Sequence, residues 1–328
     1  MSIPRIALTM GDPAGVGPEI VLAAIVKREI LSRMHLVVVG DVSVLERCSQ
    51  EVFSRELACR DEGQLCFEHV AEPGGDFPLG QPSAASGKAA AAYVHRACQL
   101  ALAGEVDAIC TAPIHKVALR AAGCPHVDHT SMLGAHFGVA EPMTLFITAG
   151  LRIFFLSRHL SLRDAVDAIS VARTTAFLRQ AFGALRDLGL ERPHLALAAL
   201  NPHAGDDGRF GSEEQEHLRP AVEVLRGEGE LISGPIPADA VFHQAAQGAF
   251  DAVVALYHDQ GHIAAKTLDF HGTIAATLGL PIPRLSVDHG TAMDIAWQGK
   301  ANPQSLLLAL DAAVELAQGR LPRRPHPL

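Results

Sequence analysis

The sequence predicts an α/β fold. Apolar runs of strand length alternate with helical patterns along most of its 328 residues, the order that builds sheets flanked by helices. Forty-eight per cent of the residues are hydrophobic, enough for a sizeable core, and the length suits about two domains. Two features argue that the sheet is not purely parallel. One is a hairpin signal at Ala149-Gly150; the other is a pair of strand runs between 270 and 290.

Taken in order, Ile6–Thr9 reads as a strand leading into a glycine-rich stretch, Gly11–Glu19. An apolar, Ala-rich helix follows over Ile20–Ile30, with Pro18 near its first turn. His35–Gly40 is a second strand, and Asp41 can cap the next helix. Residues 51–86 are poorly patterned and suit loops and short strands. Ser86–Ala103 is helical, and Asp107–Cys110 is a strand ending in Thr-Ala-Pro-Ile-His-Lys at 111–116. His129-Thr130-Ser131 opens a helix to about Phe137, and Met143–Thr148 and Leu151–Leu156 form the hairpin strands. Ser161 caps a helical region to about Leu188. Leu195–Leu200 is a strand, 206–211 a loop, and Ser212-Glu213-Glu214 starts a helix to about Arg226. Pro237–Phe242 begins a short helix, and Asp251–Leu256 is a strand. Thr273–Leu278 and Arg284–Val287 are strands. The final helix starts at Asn302-Pro303 and aligns Leu306, Leu310 and Ala313 on one face.

The formal net charge is −9, with no long basic run, which argues against nucleic acid or an anionic membrane as partner. No apolar run reaches transmembrane length. Met1–Ile6 leads straight into a strand with no secretory pattern. Six cysteines, at 48, 59, 66, 98, 110 and 124, form no C-x-x-C pair. They fit a reduced cytoplasm and supply no zinc framework.

The richest stretch is Tyr257-His258-Asp259-Gln260-Gly261-His262, continuing to Lys266, directly after the Asp251–Leu256 strand. In open α/β sheets ligands bind beyond the carboxyl ends of strands. His203 follows the 195–200 strand in Asn-Pro-His-Ala-Gly, and His159 follows Ile153–Leu156 in Ser-Arg-His. Neutral imidazole is the commonest metal-ligating side chain, so the three histidines suit a divalent-metal site. The alternative is a polar helix start with Asp259 as N-cap and solvated histidines. Gly11–Glu19 also has two readings. It is neither a Walker A loop nor a G-x-G-x-x-G fingerprint, and it is either a tight strand-to-helix turn or a loop whose backbone approaches a ligand.

With these segments read, the chain resembles the 4-hydroxythreonine-4-phosphate dehydrogenase family over nearly its whole length. The motifs that carry the resemblance are Gly-Asp-Pro-Ala-Gly-Val-Gly-Pro-Glu at 11–19, Thr-Ala-Pro-Ile-His-Lys at 111–116, His-Thr at 129–130 and Asn-Pro-His-Ala-Gly at 201–205. Pro-Ala-Asp at 237–239, Tyr-His-Asp-Gln-Gly at 257–261 and Ser-Val-Asp-His-Gly-Thr at 286–291 complete the set. The resemblance implies an isocitrate/isopropylmalate-dehydrogenase-like two-domain α/β fold with mixed sheets and helices on both sides. We expect a first domain of about 1–125 plus 290–328 and a second of 126–289 carrying the metal histidines. It also implies NAD as cofactor and a homodimer whose active site is shared between subunits. His159, His203 and His258 would hold a divalent ion (Zn, Mg or Co), one of them coming from the partner chain. His129, Thr130, Lys266 and Arg284 would contact a small anionic substrate.

Three positions depart from the family pattern. Asp128 replaces a glycine before the His-Thr pair, Ser131 replaces a glutamate after it, and Ala275 replaces a substrate-binding asparagine. These changes are expected in the substrate pocket. The family includes paralogues acting on four-carbon sugar-acid phosphates and on a terephthalate cis-dihydrodiol.

The implied reaction oxidises a secondary alcohol by hydride transfer to NAD and then releases CO2. Lys116 and His129 are the candidates for proton transfer, His129 alternatively as an anchor only. Asp239 and Asp259 are candidates to orient metal-bound histidines, or are simply helix caps. The substrate expected first is 4-hydroxythreonine 4-phosphate, in pyridoxal phosphate biosynthesis, ahead of the diol or a four-carbon acid phosphate. Outside the dehydrogenases, a metal-dependent hydrolase predicts turnover without NAD, and an anion-binding protein predicts no turnover.

Overall fold

The computed structural model describes residues 3–55, 63–71, 77–140 and 142–322. The chain divides into two compact units: Met1–Pro142 with Ile274–Gln318, and Met143–Thr273 with Gly319–Leu328.

The chain enters unit 1 through β1 (Arg5–Thr9), α1 (Gly17–Ile25), α2 (Arg28–Leu31), β2 (His35–Gly40), α3 (Val42–Phe53) and β3 (Leu65–His69). It continues through α4 (Ala84–Leu102), β4 (Ala108–Thr111), α5 (Lys116–Ala121) and α6 (His129–Phe137). Unit 2 follows with β5 (Met143–Thr148), β6 (Leu151–Phe155), α7 (Leu162–Asp167), α8 (Val171–Asp187) and β7 (His194–Ala198). It goes on to α9 (Arg219–Gly227), β8 (Leu231–Ile236), α10 (Ala238–Ala246), β9 (Ala252–Ala255) and α11 (His258–Leu268). The chain then returns to unit 1 for β10 (Ile274–Leu278), β11 (Arg284–Val287) and α12 (Gln304–Ala317).

In unit 1 the strand order is β3-β2-β1-β4-β11-β10, all parallel except β10, which runs antiparallel to β11. In unit 2 it is β5-β6-β9-β7-β8, all parallel except β5, which forms a hairpin with β6. Each unit therefore carries a mixed sheet, as the two non-parallel signals in the sequence predicted. The hairpin turns on Ala149 (φ 38°) and Gly150 (φ 83°), the two left-handed residues a tight two-residue connection needs. The central strands are buried on both faces: β1, β4, β6, β7 and β9 carry Ile6, Leu8, Ile109, Ile153, Leu195 and Val253 with no exposure.

Several boundaries differ from the sequence reading. Residues 126–142 and 274–289, expected in the second domain, group with unit 1, because α6 packs on α4 and β11 pairs with β4. The predicted 20–30 helix starts earlier and ends at Ile25. The helical region after Ser161 breaks in two, because Ser170 caps a second helix by accepting from the Arg173 N–H at 3.2 Å. Helix α5 is an addition, nucleated by His115, whose Nδ1 accepts from the Val117 N–H at 3.2 Å. Strand β8 is another, at the edge of its sheet.

Among the described residues, no helix is long and apolar enough to cross a membrane. Cys48, Cys66, Cys98, Cys110 and Cys124 are free thiols; Cys59 lies outside the described residues. Burial pushes the Cys98 and Cys110 thiols up to about 12, so these are inert core groups.

Candidate active site

Each of the three singled-out histidines sits just past the carboxyl end of a parallel strand in unit 2. Strands β6, β9 and β7 are adjacent, with Phe155 beside Ala255 and Leu197 beside Val254. His159 follows β6, His258 follows β9 and His203 follows β7, so all three occupy one edge of this sheet. That is the edge at which α/β folds bind ligands. Buried side chains lock the strand ends together. Gln260 Oε1 accepts from the Leu256 N–H at 2.7 Å, while its Nε2 donates to the Ala199 carbonyl at 2.8 Å. Ser157 Oγ donates to the Leu256 carbonyl at 2.9 Å.

The three imidazoles are exposed. Among the described residues of the one chain, no three His, Cys, Asp or Glu side chains gather into a group able to hold a metal ion. The donor chemistry at His258 nevertheless suits ligation. Its Nδ1 lies 2.5 Å from Asp259 Oδ1, so Nδ1–H donates to the carboxylate; in a neutral ring this leaves Nε2 as the electron-pair donor. Its ring stacks on His262, with centroids 3.8 Å apart and planes 12° apart. His262 is in turn held by Phe146 and Phe155, at 4.4 and 4.7 Å. His258, His262 and Lys266 recur every fourth residue and so share a face of α11. The Lys266 ammonium lies over the Phe270 ring at 5.3 Å.

Neither candidate aspartate is a helix cap. Tyr257 and Pro237 hold the N-cap positions of α11 and α10, and Asp259 and Asp239 fall in the first turns. Asp239 is exposed there.

The turn bearing His203 is conformationally unusual. Five consecutive residues, His203 to Asp207, have φ between 43° and 83°. Four of them are not glycine, and each such residue costs about 1–2 kcal/mol. Strain of this kind persists only where the surroundings over-determine it, and it clusters at functional sites. The sequence predicts only a plain loop, 206–211, over the end of this stretch.

In unit 1, Arg284 on β11 is only 4% exposed. Its Nη2 donates to Thr111 Oγ1 at 2.6 Å and its Nη1 to Thr277 Oγ1 at 3.3 Å, so neighbouring strands aim the guanidinium. His129 is the first residue of α6, and Thr130 is half-buried beside it. The His129 Nε2 is shielded from water and has no hydrogen-bond partner. Burial, and then the charge of Arg284, hold its pKa well below the ordinary histidine value, so the ring is neutral. Lys116 is exposed at the start of α5.

Two departures noted in the sequence take on a different role here. Asp128 caps α6: its Oδ1 accepts from the Ser131 N–H at 2.9 Å, and the Asp128 N–H donates to Ser131 Oγ at 3.3 Å. The two changed residues form one reciprocal capping box. The glycine-rich stretch is a tight turn. A Cβ at Gly11 (φ 75°) would lie 2.4 Å from the Pro113 carbonyl oxygen, and one at Gly17 would lie 2.2 Å from that of Met10. These glycines let the chain pack on itself.

Sequence reasoning missed Glu214, which is fully buried and accepts from Leu200 N–H, Asn201 N–H and Asn201 Nδ2. It lies within Ser-Glu-Glu-Gln-Glu at 212–216, which reads as a solvated helix start. The ties made by Gln260 and Ser157 are not legible in the sequence either, although Gln260 lies within Tyr-His-Asp-Gln-Gly.

The relatives of this mixed-sheet α/β chain define its class as a dehydrogenase. A family model described as pyridoxal phosphate biosynthetic protein PdxA matches residues 32–313. The chain belongs to that family. A curated relative from Symbiobacterium thermophilum, named "Putative D-threonate 4-phosphate dehydrogenase", is 45% identical over 326 residues, covering 96% of this chain and 97% of that one. A solved 4-hydroxythreonine-4-phosphate dehydrogenase from Burkholderia phymatum is 38% identical, with a TM-score of 0.82, covering 96% and 99% of the two chains. A terephthalate 1,2-cis-dihydrodiol dehydrogenase from Burkholderia xenovorans LB400 is 31% identical, with a TM-score of 0.65, covering 98% and 99%.

Proposed function

We propose that this chain oxidises and decarboxylates a phosphorylated four-carbon hydroxy acid, D-threonate 4-phosphate before 4-hydroxythreonine 4-phosphate, using NAD and a divalent metal ion. The observation that carries the reading is the placement of His159, His203 and His258 beyond three adjacent parallel strands. The substrate order departs from the sequence expectation. It is supported by the relative that is 45% identical, whose name specifies D-threonate 4-phosphate. Ala275 on β10 supports it too, because it lacks the amide that the family resemblance assigns to substrate binding. The solved relative at 38% identity favours 4-hydroxythreonine 4-phosphate as the second reading.

Oxidation at the carbon β to the carboxylate gives a β-keto acid, which loses CO2. The balance is D-threonate 4-phosphate plus NAD+ to dihydroxyacetone phosphate, CO2 and NADH. When bound, a divalent ion supplies Lewis-acid stabilisation of charge on substrate oxygens, and NAD accepts the hydride.

This chain's residues do the rest. In unit 1 Arg284, aimed by Thr111 and Thr277, offers a planar fork to a phosphate or carboxylate; in unit 2 Lys266 offers a point charge to an anion. His129, whose ring is held neutral by burial and by Arg284, and the exposed Lys116 are the two candidates for proton transfer. Asp259 holds the proton on His258 Nδ1. Asp239 is assigned an orienting role from its place in the first turn of α10. A homodimer in which the partner supplies one metal ligand completes the reading. The test is NADH absorbance with purified protein, Zn, Mg or Co, and each substrate. A hydrolase would consume substrate without NADH.

A further inference from the structure

Glu214 opens a π-turn, Glu214–Leu218, and its carboxyl group is buried against the turn that carries His203. Oε1 accepts from the backbone N–H groups of Leu200 and Asn201, at 2.8 and 2.7 Å, fixing the chain as it leaves β7. Oε2 accepts from Asn201 Nδ2 at 2.8 Å, and the same amide donates to Glu213 Oε2 at 2.7 Å. The network also lies against the middle of the turn and the residues beyond it. A Cβ at Gly205 would lie 2.9 Å from Glu214 Oε2, and one at Gly211 would lie 2.5 Å from both Asn201 Nδ2 and Glu213 Oε2. The entry to the strained His203–Asp207 run is thus hydrogen-bonded to one buried carboxyl group, and the middle of the run, at Gly205, lies against the same group.

We infer that Glu214 is a positioning residue, which holds the left-handed turn so that His203 is presented for ligation. This rests on the metal reading above. The polarity of the network makes the inference testable. A glutamine at 214 keeps an acceptor for the two backbone N–H groups but turns its NH2 toward Asn201 Nδ2, donor against donor. Flipping Asn201 relieves that clash and turns its oxygen toward the Glu213 carboxyl, acceptor against acceptor. Glu213→Gln together with Glu214→Gln removes the conflict, because a flipped Asn201 oxygen can accept from both amides.

The experiment uses the full chain labelled with 13C-histidine, with the His203 ring signal assigned by its loss in His203→Ala, and a Co2+ titration followed by visible absorbance. Glu214→Gln is expected to broaden or split the His203 signal in metal-free protein, to leave the other histidine signals in place and to weaken Co2+ binding roughly ten- to a hundred-fold. The double variant is expected to recover both readouts. An unchanged His203 signal in Glu214→Gln, or a double variant no better than the single one, overturns the inference. If the unmutated protein binds no Co2+, the metal reading fails, and the metal-free His203 signals still decide the role of Glu214.

Discussion

The side-chain amide of Gln260 donates to the carbonyl oxygen of Ala199 at 2.8 Å, joining the first turn of α11 to the end of β7 across 61 residues of sequence. The strand ends that carry His258 and His203 are therefore held by one buried side chain. Gln260→Glu keeps the acceptor for Leu256 but sets a carboxyl oxygen against the Ala199 carbonyl. Leaving that carbonyl unsatisfied should cost about 1–3 kcal/mol. Urea unfolding checks this, and an unchanged midpoint would show that the tie contributes nothing.

Asp259 should matter to metal affinity through His258. Asp259→Asn removes the carboxylate that fixes the Nδ1 proton, and a change of this kind typically costs about ten- to a hundred-fold in affinity. His258→Ala should lose the site altogether. Calorimetric titration with Zn2+ separates the two, and equal affinity for Asp259→Asn and the unmutated protein would remove Asp259 from its orienting role.

His129 gives a pH signature. Its pKa is lowered in the folded protein, by burial first and then by Arg284. Below the ordinary value of 6.5 the unfolded chain takes up a proton that the folded one resists, so stability is intact above 6.5 and falls as the pH drops below it. In His129→Asn that part of the acid-side loss should disappear. Melting temperatures between neutral and mildly acid pH test it, and parallel curves for the two proteins would contradict it.

Asp128 is expected to act on stability and not on substrate choice. Asp128→Ala removes an N-cap and should cost about 1 kcal/mol, measured by denaturant unfolding, with the ratio of kcat/KM values between substrates unchanged. A shifted ratio would give Asp128 a part in substrate choice.

How much of this was legible depends on whether a residue's role is local. The apolar runs of β6, β7 and β9 and the histidines beyond them could be read in order, since strand ends and the residues after them are adjacent in sequence. The Ala149-Gly150 hairpin was legible for the same reason. Strand β8 was not, because Gly234-Pro235 breaks its pattern and it sits at a sheet edge. Glu214 was hidden because its burial is created by the turn at 200–205 folding over it. The capping box at Asp128 and Ser131 was written in the sequence as D-x-x-S.

The most direct test is a side-by-side measurement of kcat/KM with NAD and a divalent ion on D-threonate 4-phosphate, 4-hydroxythreonine 4-phosphate and the terephthalate cis-dihydrodiol. The loss of one charge-assisted hydrogen bond at Ala275, about 1.5–3 kcal/mol, corresponds to roughly ten- to a hundred-fold in specificity. D-threonate 4-phosphate is predicted to lead 4-hydroxythreonine 4-phosphate by about that factor, with the diol last. A diol preference of more than about a hundredfold, or no NADH from either phosphate, would contradict the proposed function.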